Sequence, residues 1–238
     1  MTNLDSGEFK VHRLTDLLEV DNDNLLLEII KTLSELDMNL VNKKIEYFFK
    51  KSPSSPQQKL AVAFLPKNIM HLFGISAYAD NRPIKSGESF TYAIQFYDDF
   101  KKDCLNFEKC WVESISKVSE KVSALAHIEE LLDKDVRIGG SGSYISLSFS
   151  NIIRTNKKIL AVAVIGTSQG FCIPLSALNL TNDKRATQDP TIHSVVPCSK
   201  LIVYIRQENG EWQLQEQKIF DIKKNVKKGK KNKKHVKN

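Results

Sequence analysis

The stretch KKILAVAVIG, Lys157–Gly166, decides how the rest of the chain is read. Its apolar run, 159–165, is far too short to cross a bilayer. It is rich in valine and apolar on both faces, which suits a central strand of a sheet. The same kind of pattern extends to either side. Upstream lies SYISLSFS, 143–150, and downstream lie GFCIPLS, 170–176, SKLIVYIRQ, 199–207, and EWQLQEQKIF, 211–220. The last two are joined through Glu208-Asn209-Gly210, and Asn-Gly is the strongest short hairpin signal. Beyond Val136 the chain therefore reads as five strands in a mostly antiparallel sheet.

Before Val136 the period is helical, with one exception. Leu25, Leu26, Ile29, Ile30 and Leu33 form an apolar stripe behind an Asp/Asn cluster at 21–24, which predicts a capped amphipathic helix. The exception is KKIEYFFKK and KLAVAFL, two alternating runs separated by SPSSPQQ, which predict an antiparallel hairpin. A short helix fits PKNIMHLFG, with Asn68 capping its start and Gly74 ending it. Longer helices fit the segment from Ser89 and the segment Trp111–Asp133. Helices followed by strands define an α+β fold, a mostly antiparallel β-sheet packed against helices. The expected division is a helical extension at 1–40, a body at 41–222 and a lysine-rich tail at 223–238.

The formal net charge of +7 is misleading as an average. Nine lysines and no acid lie between Lys223 and Asn238, and residues 1–222 hold 26 basic against 28 acidic side chains. The body is nearly neutral, so a strongly basic groove does not follow from the overall charge, although a local basic patch can exist. Cys104, Cys110, Cys172 and Cys198 lack paired spacing, which argues against a zinc ribbon or disulfide framework and suits buried thiols. The opening MTNLDSGEFK has no apolar leader, so a cytoplasmic protein without membrane contact is expected.

His71 is the first candidate for chemistry. With Asn68 as cap it falls in the first turn of its helix, where the N-terminal dipole disfavours the imidazolium and leaves a neutral base. A core histidine bonded to backbone fits the same position. The loop RIGGSGSY, 137–144, has glycines that let backbone N–H groups approach a phosphate, with Ser141, Ser143 and Tyr144 as further donors. It is equally a flexible entry into a strand. In the strand reading, Tyr144, Ser146, Ser148 and Ser150 share one face, which either meets a ligand or faces water. Arg154, Lys157 and Lys158 sit in NIIRTNKK, read as a turn, where a cation can neutralise a phosphorane or merely keep the turn soluble. Thr167 can bond a phosphate or close its own turn. His193 is a possible second acid or base, with His127 and His12 behind it. No HExxH, DxDxDG, GxSxG or CxxC motif occurs, so no metal and no cofactor is expected.

Three segments, in order along the chain, carry a family resemblance. They are KLAVAFLPKNIMHLFGI at 59–75, FTYAIQFYDDF at 90–100 and VIGTSQGFCIPLSALNL at 164–180. Together they resemble the phage barnase–EndoU–colicin–RelE-like nucleases of phages and mobile elements, over roughly 42–206. The resemblance implies an RNA endonuclease of toxin or phage-conflict type that cleaves without metal, with His71 matching the family's histidine. An antitoxin or immunity protein would be a partner. The leading helix and the lysine tail fall outside the shared span. His71 would be general acid or base in a 2′-OH transesterification, with Lys158 or Arg154 supplying charge and Ser141, Ser143, Tyr144, Lys157 and Thr167 holding phosphate. Tail lysines including Lys227, Lys228, Lys230 and Lys231 would hold RNA nearby. Two further readings stand beside this one. One is a non-catalytic nucleic-acid- or partner-binding protein anchored by its tail, and the other is a nuclease fold that has lost activity.

Overall fold

In the computed structural model, which describes residues 11–18, 23–81, 89–144, 147–157, 159–181, 192 and 194–220, the elements follow one another as β1 (His12–Arg13), α1 (Asp23–Asn39), β2 (Lys43–Phe49), β3 (Gln58–Phe64), α2 (Pro66–Leu72), β4 (Ile75–Tyr78), α3 (Ser89–Lys101), β5 (Cys110–Val112), α4 (Ile115–Leu125), β6 (Arg137–Gly139), β7 (Gly142–Tyr144), β8 (Leu147–Phe149), β9 (Asn151–Arg154), β10 (Leu160–Gly166), β11 (Cys172–Asn179), β12 (Val195–Arg206) and β13 (Trp212–Ile219). The alternation of Ile45, Tyr47 and Phe49 becomes the inward face of β2, which pairs antiparallel with β3 from Lys43↔Phe64 to Phe49↔Gln58. Leu160–Val164 of β10 are buried on both faces, as a central strand requires.

The expected mostly antiparallel sheet is in fact closed. Strands run in the order β12, β2, β3, β11, β10, β9, β6 and back to β12, making a seven-stranded barrel, with β13 paired to the outside edge of β12. The pairings are antiparallel except for β3 with β11, which is parallel at Cys172↔Val62. Closure depends on the length of β12. Its first residues, Val195–Pro197, pair with β6, and the residues from Cys198 to Ile205 pair with β2. An irregularity between Cys198 and Lys200 bends the strand from one neighbour to the other. The Asn209-Gly210 hairpin joins β12 to β13, with Gly210 at φ 83°.

Several local expectations change. SYISLSFS is not one strand: β7 and β8 pair antiparallel at Ser143↔Ser148, so the chain folds back within it. NIIR is not a turn but barrel strand β9. The segment Trp111–Asp133 is broken, because Cys-Trp-Val pairs as β5 with β4 before Ser114 caps α4 by accepting from Lys117 N. The helix α2 starts at Pro66, which suits the first helical position, and not at Asn68. Asn68 is instead buried. Cys110 and Cys198 are buried as expected, Cys172 is half-buried, and Cys104 is exposed.

Helix α1 was set apart as an extension, yet Leu25, Ile29, Leu33, Leu36 and Leu40 belong to the same buried cluster as Ile45, Tyr47 and Val203. Each such side chain contributes about 1.5–3 kcal/mol by burial, so α1 is integral to the core. A second cluster, built on Tyr144, Phe149, Ile152 and Ala161, lies under the β7–β8 hairpin. Among the described residues no helix is long and apolar enough to cross a membrane.

Candidate active site

The site is assembled where α2, α4 and β11 meet. Pro66 opens α2, and Gly74, at φ 78°, closes it by donating its N–H to the His71 carbonyl at 3.1 Å. His71 therefore lies in the last turn of α2, not the first. The dipole there favours the imidazolium, opposite to the expectation. Burial overrides it: desolvation pushes the His71 pKa down, a backbone bond to Ile75 opposes this, and the nearby Lys121 charge pushes it down further. Nδ1 lies 3.2 Å from the Ile75 carbonyl oxygen. A carbonyl only accepts, so Nδ1 carries the proton and Nε2 keeps the lone pair. The ring is a base in the tautomer a proton acceptor needs.

Lys121 comes from α4. Its stem crosses Gly74, where a Cβ would stand 3.1 Å from the lysine Cδ, so this glycine leaves room for the side chain. Its ammonium donates to Ser176 Oγ of β11 at 2.8 Å. Burial drives the Lys121 pKa down to about 8, Lys117 adds to the fall, and Glu113 opposes it. Lys117 itself is paired with Glu113 at 2.5 Å. His71, Lys121, Ser176, Lys117, Glu120 and Tyr144 line one open cavity of about 590 Å³. A histidine and a lysine, both with lowered pKa and lining one cavity, are the groups that a proton transfer near neutral pH can use.

The other expected residues divide. Tyr144 lines this cavity but is 5% exposed, its ring packed in the second apolar cluster and not on an open hydroxyl face. Ser143 is exposed on β7. Ser141 lines a different cavity, about 600 Å³, with Gly139, Gly140, Asn151 and Ser194, so of the glycine loop Tyr144 shares the cavity with His71 and residues 139–141 do not. Arg154 is 5% exposed, with Nε donating to the Ile192 carbonyl and Nη1 to the Thr155 carbonyl, both at 3.1 Å. It holds the end of the barrel and is not an accessible turn cation. Thr167 donates to the Phe171 carbonyl at 2.6 Å and accepts from Gln169 N, which is turn chemistry. Lys157 is exposed in the β9–β10 turn, and His12 is exposed on β1. His127 follows α4 and faces Glu130 at 3.2 Å. Lys158, His193 and the tail lysines Lys227, Lys228, Lys230 and Lys231 lie outside the described residues.

Lys121 and Ser176 were missed by sequence reasoning. The available signal was a lysine inside an apolar arc: Lys121 lies three residues after Val118 and beside Val122, both buried on α4.

A barrel with a histidine and a lysine of lowered pKa lining one cavity offers a candidate acid–base site on an α+β scaffold. The family comparison gives it a class. A model of the phage-Barnase-EndoU-ColicinE5/D-RelE like nuclease 4 family, PBECR4, matches residues 29–234. The chain belongs to that family. The match begins within α1 and reaches into the lysine-rich end, so both lie at least partly inside the shared span. Among curated proteins and solved structures nothing matches.

Proposed function

We propose that the chain is a metal-independent RNA endonuclease of phage-conflict type that cleaves by transesterification at the His71–Lys121 cavity. The observation that carries this reading is the shared cavity, which is lined both by His71, its Nδ1 held at the Ile75 carbonyl, and by Lys121, its pKa lowered to about 8. Family membership supports nuclease chemistry. His71 Nε2 removes the ribose 2′-OH proton. The O2′ attacks the adjacent phosphorus and the P–O5′ bond breaks. Lys121 neutralises charge on the phosphorane and gives its proton to the leaving O5′, with Ser176 aligning the ammonium. The products are a 2′,3′-cyclic phosphate and a 5′-hydroxyl, and solvent returns the proton from His71 to Lys121. The nucleophile belongs to the RNA, so no metal-bound water is needed.

The test is cleavage of mixed RNA in EDTA by the wild-type chain and by His71→Ala and Lys121→Met. The expected loss at either position is roughly 10²–10⁴-fold, with cyclic-phosphate ends and no cleavage of the all-deoxy strand. Equal cleavage by His71→Ala and wild type would remove His71 from the mechanism. Absence of cleavage by all three would favour the tail-anchored binding reading, which the nine lysines of 223–238 support.

A further inference from the structure

The alternation that buries Ile45, Tyr47, Leu201 and Val203 turns a second set of side chains away from the core across β3, β2, β12 and β13. Register fixes their neighbours. Tyr204 stands between Lys44 and Leu214, Lys200 between Phe48 and Ile219, and Arg206 opposite Trp212. Leu214 and Ile219 are 61% and 72% exposed, far more than a closed surface leaves. The Lys44 ammonium lies 4.5 Å from the Tyr204 ring centre and 5.3 Å from that of Trp212. Lys200 lies 5.3 Å from the ring of Phe48. Phe171, in the turn before β11, meets Trp212 edge to face at 6.4 Å. Of the charges on these positions, Lys44, Lys59, Lys200 and Arg206 are cationic. The carboxylate among them, Glu46, is already paired with Lys59 at 3.0 Å.

We propose that this face binds a single-stranded polynucleotide, as a platform separate from the His71 cavity. Half-exposed rings interleaved with cations supply what an unpaired strand needs, namely stacking for its bases and positive charge for its phosphates. A duplex keeps its bases stacked inside and gains nothing from the rings. A protein partner is disfavoured because lysine is depleted at the centre of such contacts, whereas here lysines stand between the rings. Lys44 caps the faces of Tyr204 and Trp212 while no strand is bound. On its four-carbon stem the ammonium swings to a phosphate and leaves the ring to a base. The sequence continues from β13 into the lysines of 223–238, so cationic chain follows directly from one border of the platform. β11, which lines the His71 cavity, is the next strand after β3. The proposal deepens the ribonuclease reading by naming the form of its substrate, and rests on that reading only for the link between binding and cleavage.

Binding is measured in the full-length His71→Ala chain, so that failure of the cleavage mechanism leaves the readout intact. Labelled single-stranded RNA and DNA of about 15 nucleotides and a duplex RNA are titrated by fluorescence anisotropy. Tyr204→Ala with Trp212→Ala is expected to weaken single-strand binding at least about ten-fold, for both sugars, and to spare duplex binding. Tyr204→Phe with Trp212→Phe keeps the rings and should retain most of the affinity, which separates stacking from misfolding. Lys44→Gln with Lys200→Gln should flatten the salt dependence. Unchanged single-strand affinity in both the alanine and the glutamine variants overturns the platform. So does an alanine variant that changes the oligomeric state while polynucleotide affinity stays as it was, since the face would then be a protein contact.

Discussion

Lys121 shows the tension at the residue scale between stability and chemistry. Its ammonium is buried against the neutral hydroxyl of Ser176, and its pKa is lowered from 10.5 to about 8. The unfolded chain therefore binds more protons than the folded one between pH 8 and 10.5. Stability from this group is full above pH 10.5 and is lost as pH falls through 10.5 towards 8. At pH 7 the burden is roughly 3 kcal/mol. Lys121→Met keeps the stem across Gly74, removes the charge, and leaves Ser176 donating to the Ala177 carbonyl. It is expected to raise Tm at pH 7 while lowering cleavage roughly 10²–10⁴-fold, with the stability gain vanishing towards pH 10.5. Thermal melts of both chains across pH 7–10.5 check this, and a melting temperature lowered at every pH would contradict the burial argument. The rate profile should fall on the acid side as His71 protonates, below the ordinary histidine value of 6.5, and on the alkaline side near 8 as Lys121 empties. His71 was legible as a candidate because it is a titratable ring among apolar neighbours. Lys121 carried a weaker signal, its place in an apolar arc, because a lysine on a helix ordinarily faces water, and the strand packed opposite shows that this one does not.

At the element scale, the short loop after α2 couples fold to site. Gly74 adopts φ 78°, a left-handed conformation costly for residues with a Cβ, and it also leaves space for Lys121. Gly74→Ala thus carries two penalties, backbone strain and a side-chain contact at 3.1 Å. The lysine stem is flexible and can yield, so the expected stability loss is about 1–2 kcal/mol. The ammonium, however, leaves Ser176. Cleavage should drop and the alkaline limb should move upward as Lys121 regains solvent. Denaturant melts paired with pH–rate profiles read both effects, and a stability loss with an unmoved alkaline limb would uncouple the loop from the site. Element types were readable in β2 and β3, whose alternation is bounded by turn residues, and in β10, whose apolar run is too long for a half-buried strand's pattern. They failed where two short elements share one run. Tyr144 and Phe149 look like positions on opposite faces of a single strand, yet they sit on opposite arms of a hairpin and in one apolar cluster. Arg154 looked like a turn cation because NIIR precedes Thr-Asn-Lys-Lys, but Ile152 and Ile153 are fully buried and carry the arginine into the barrel wall.

At the scale of the whole molecule, closure was invisible in the sequence because periodicity states which face is buried and not which strand is the neighbour. The pairing of Val196 with Ile138 joins strands separated along the chain by five others, β7 to β11, and is made by a strand whose remainder pairs elsewhere. Charge follows the same logic. The chain is nearly neutral through 1–222 and carries its excess at 223–238, so the proposed polyanion would meet two different sets of cations, those of the aromatic face and those of the tail. Their contributions separate by salt. A run of lysines binds by counterion release, with a slope of log K against log salt near −0.7 per contact for single strands. Stacking on Tyr204 and Trp212 carries little of that dependence. Deleting 223–238 should therefore weaken binding most at low salt and flatten the slope by about 0.7 for each lysine engaged. A salt-resistant remainder, sensitive to Tyr204→Ala and Trp212→Ala, should survive, and cleavage should persist at low salt with a raised KM. Complete loss of binding on deletion would place all affinity in the tail and leave the aromatic face without a role in holding the strand.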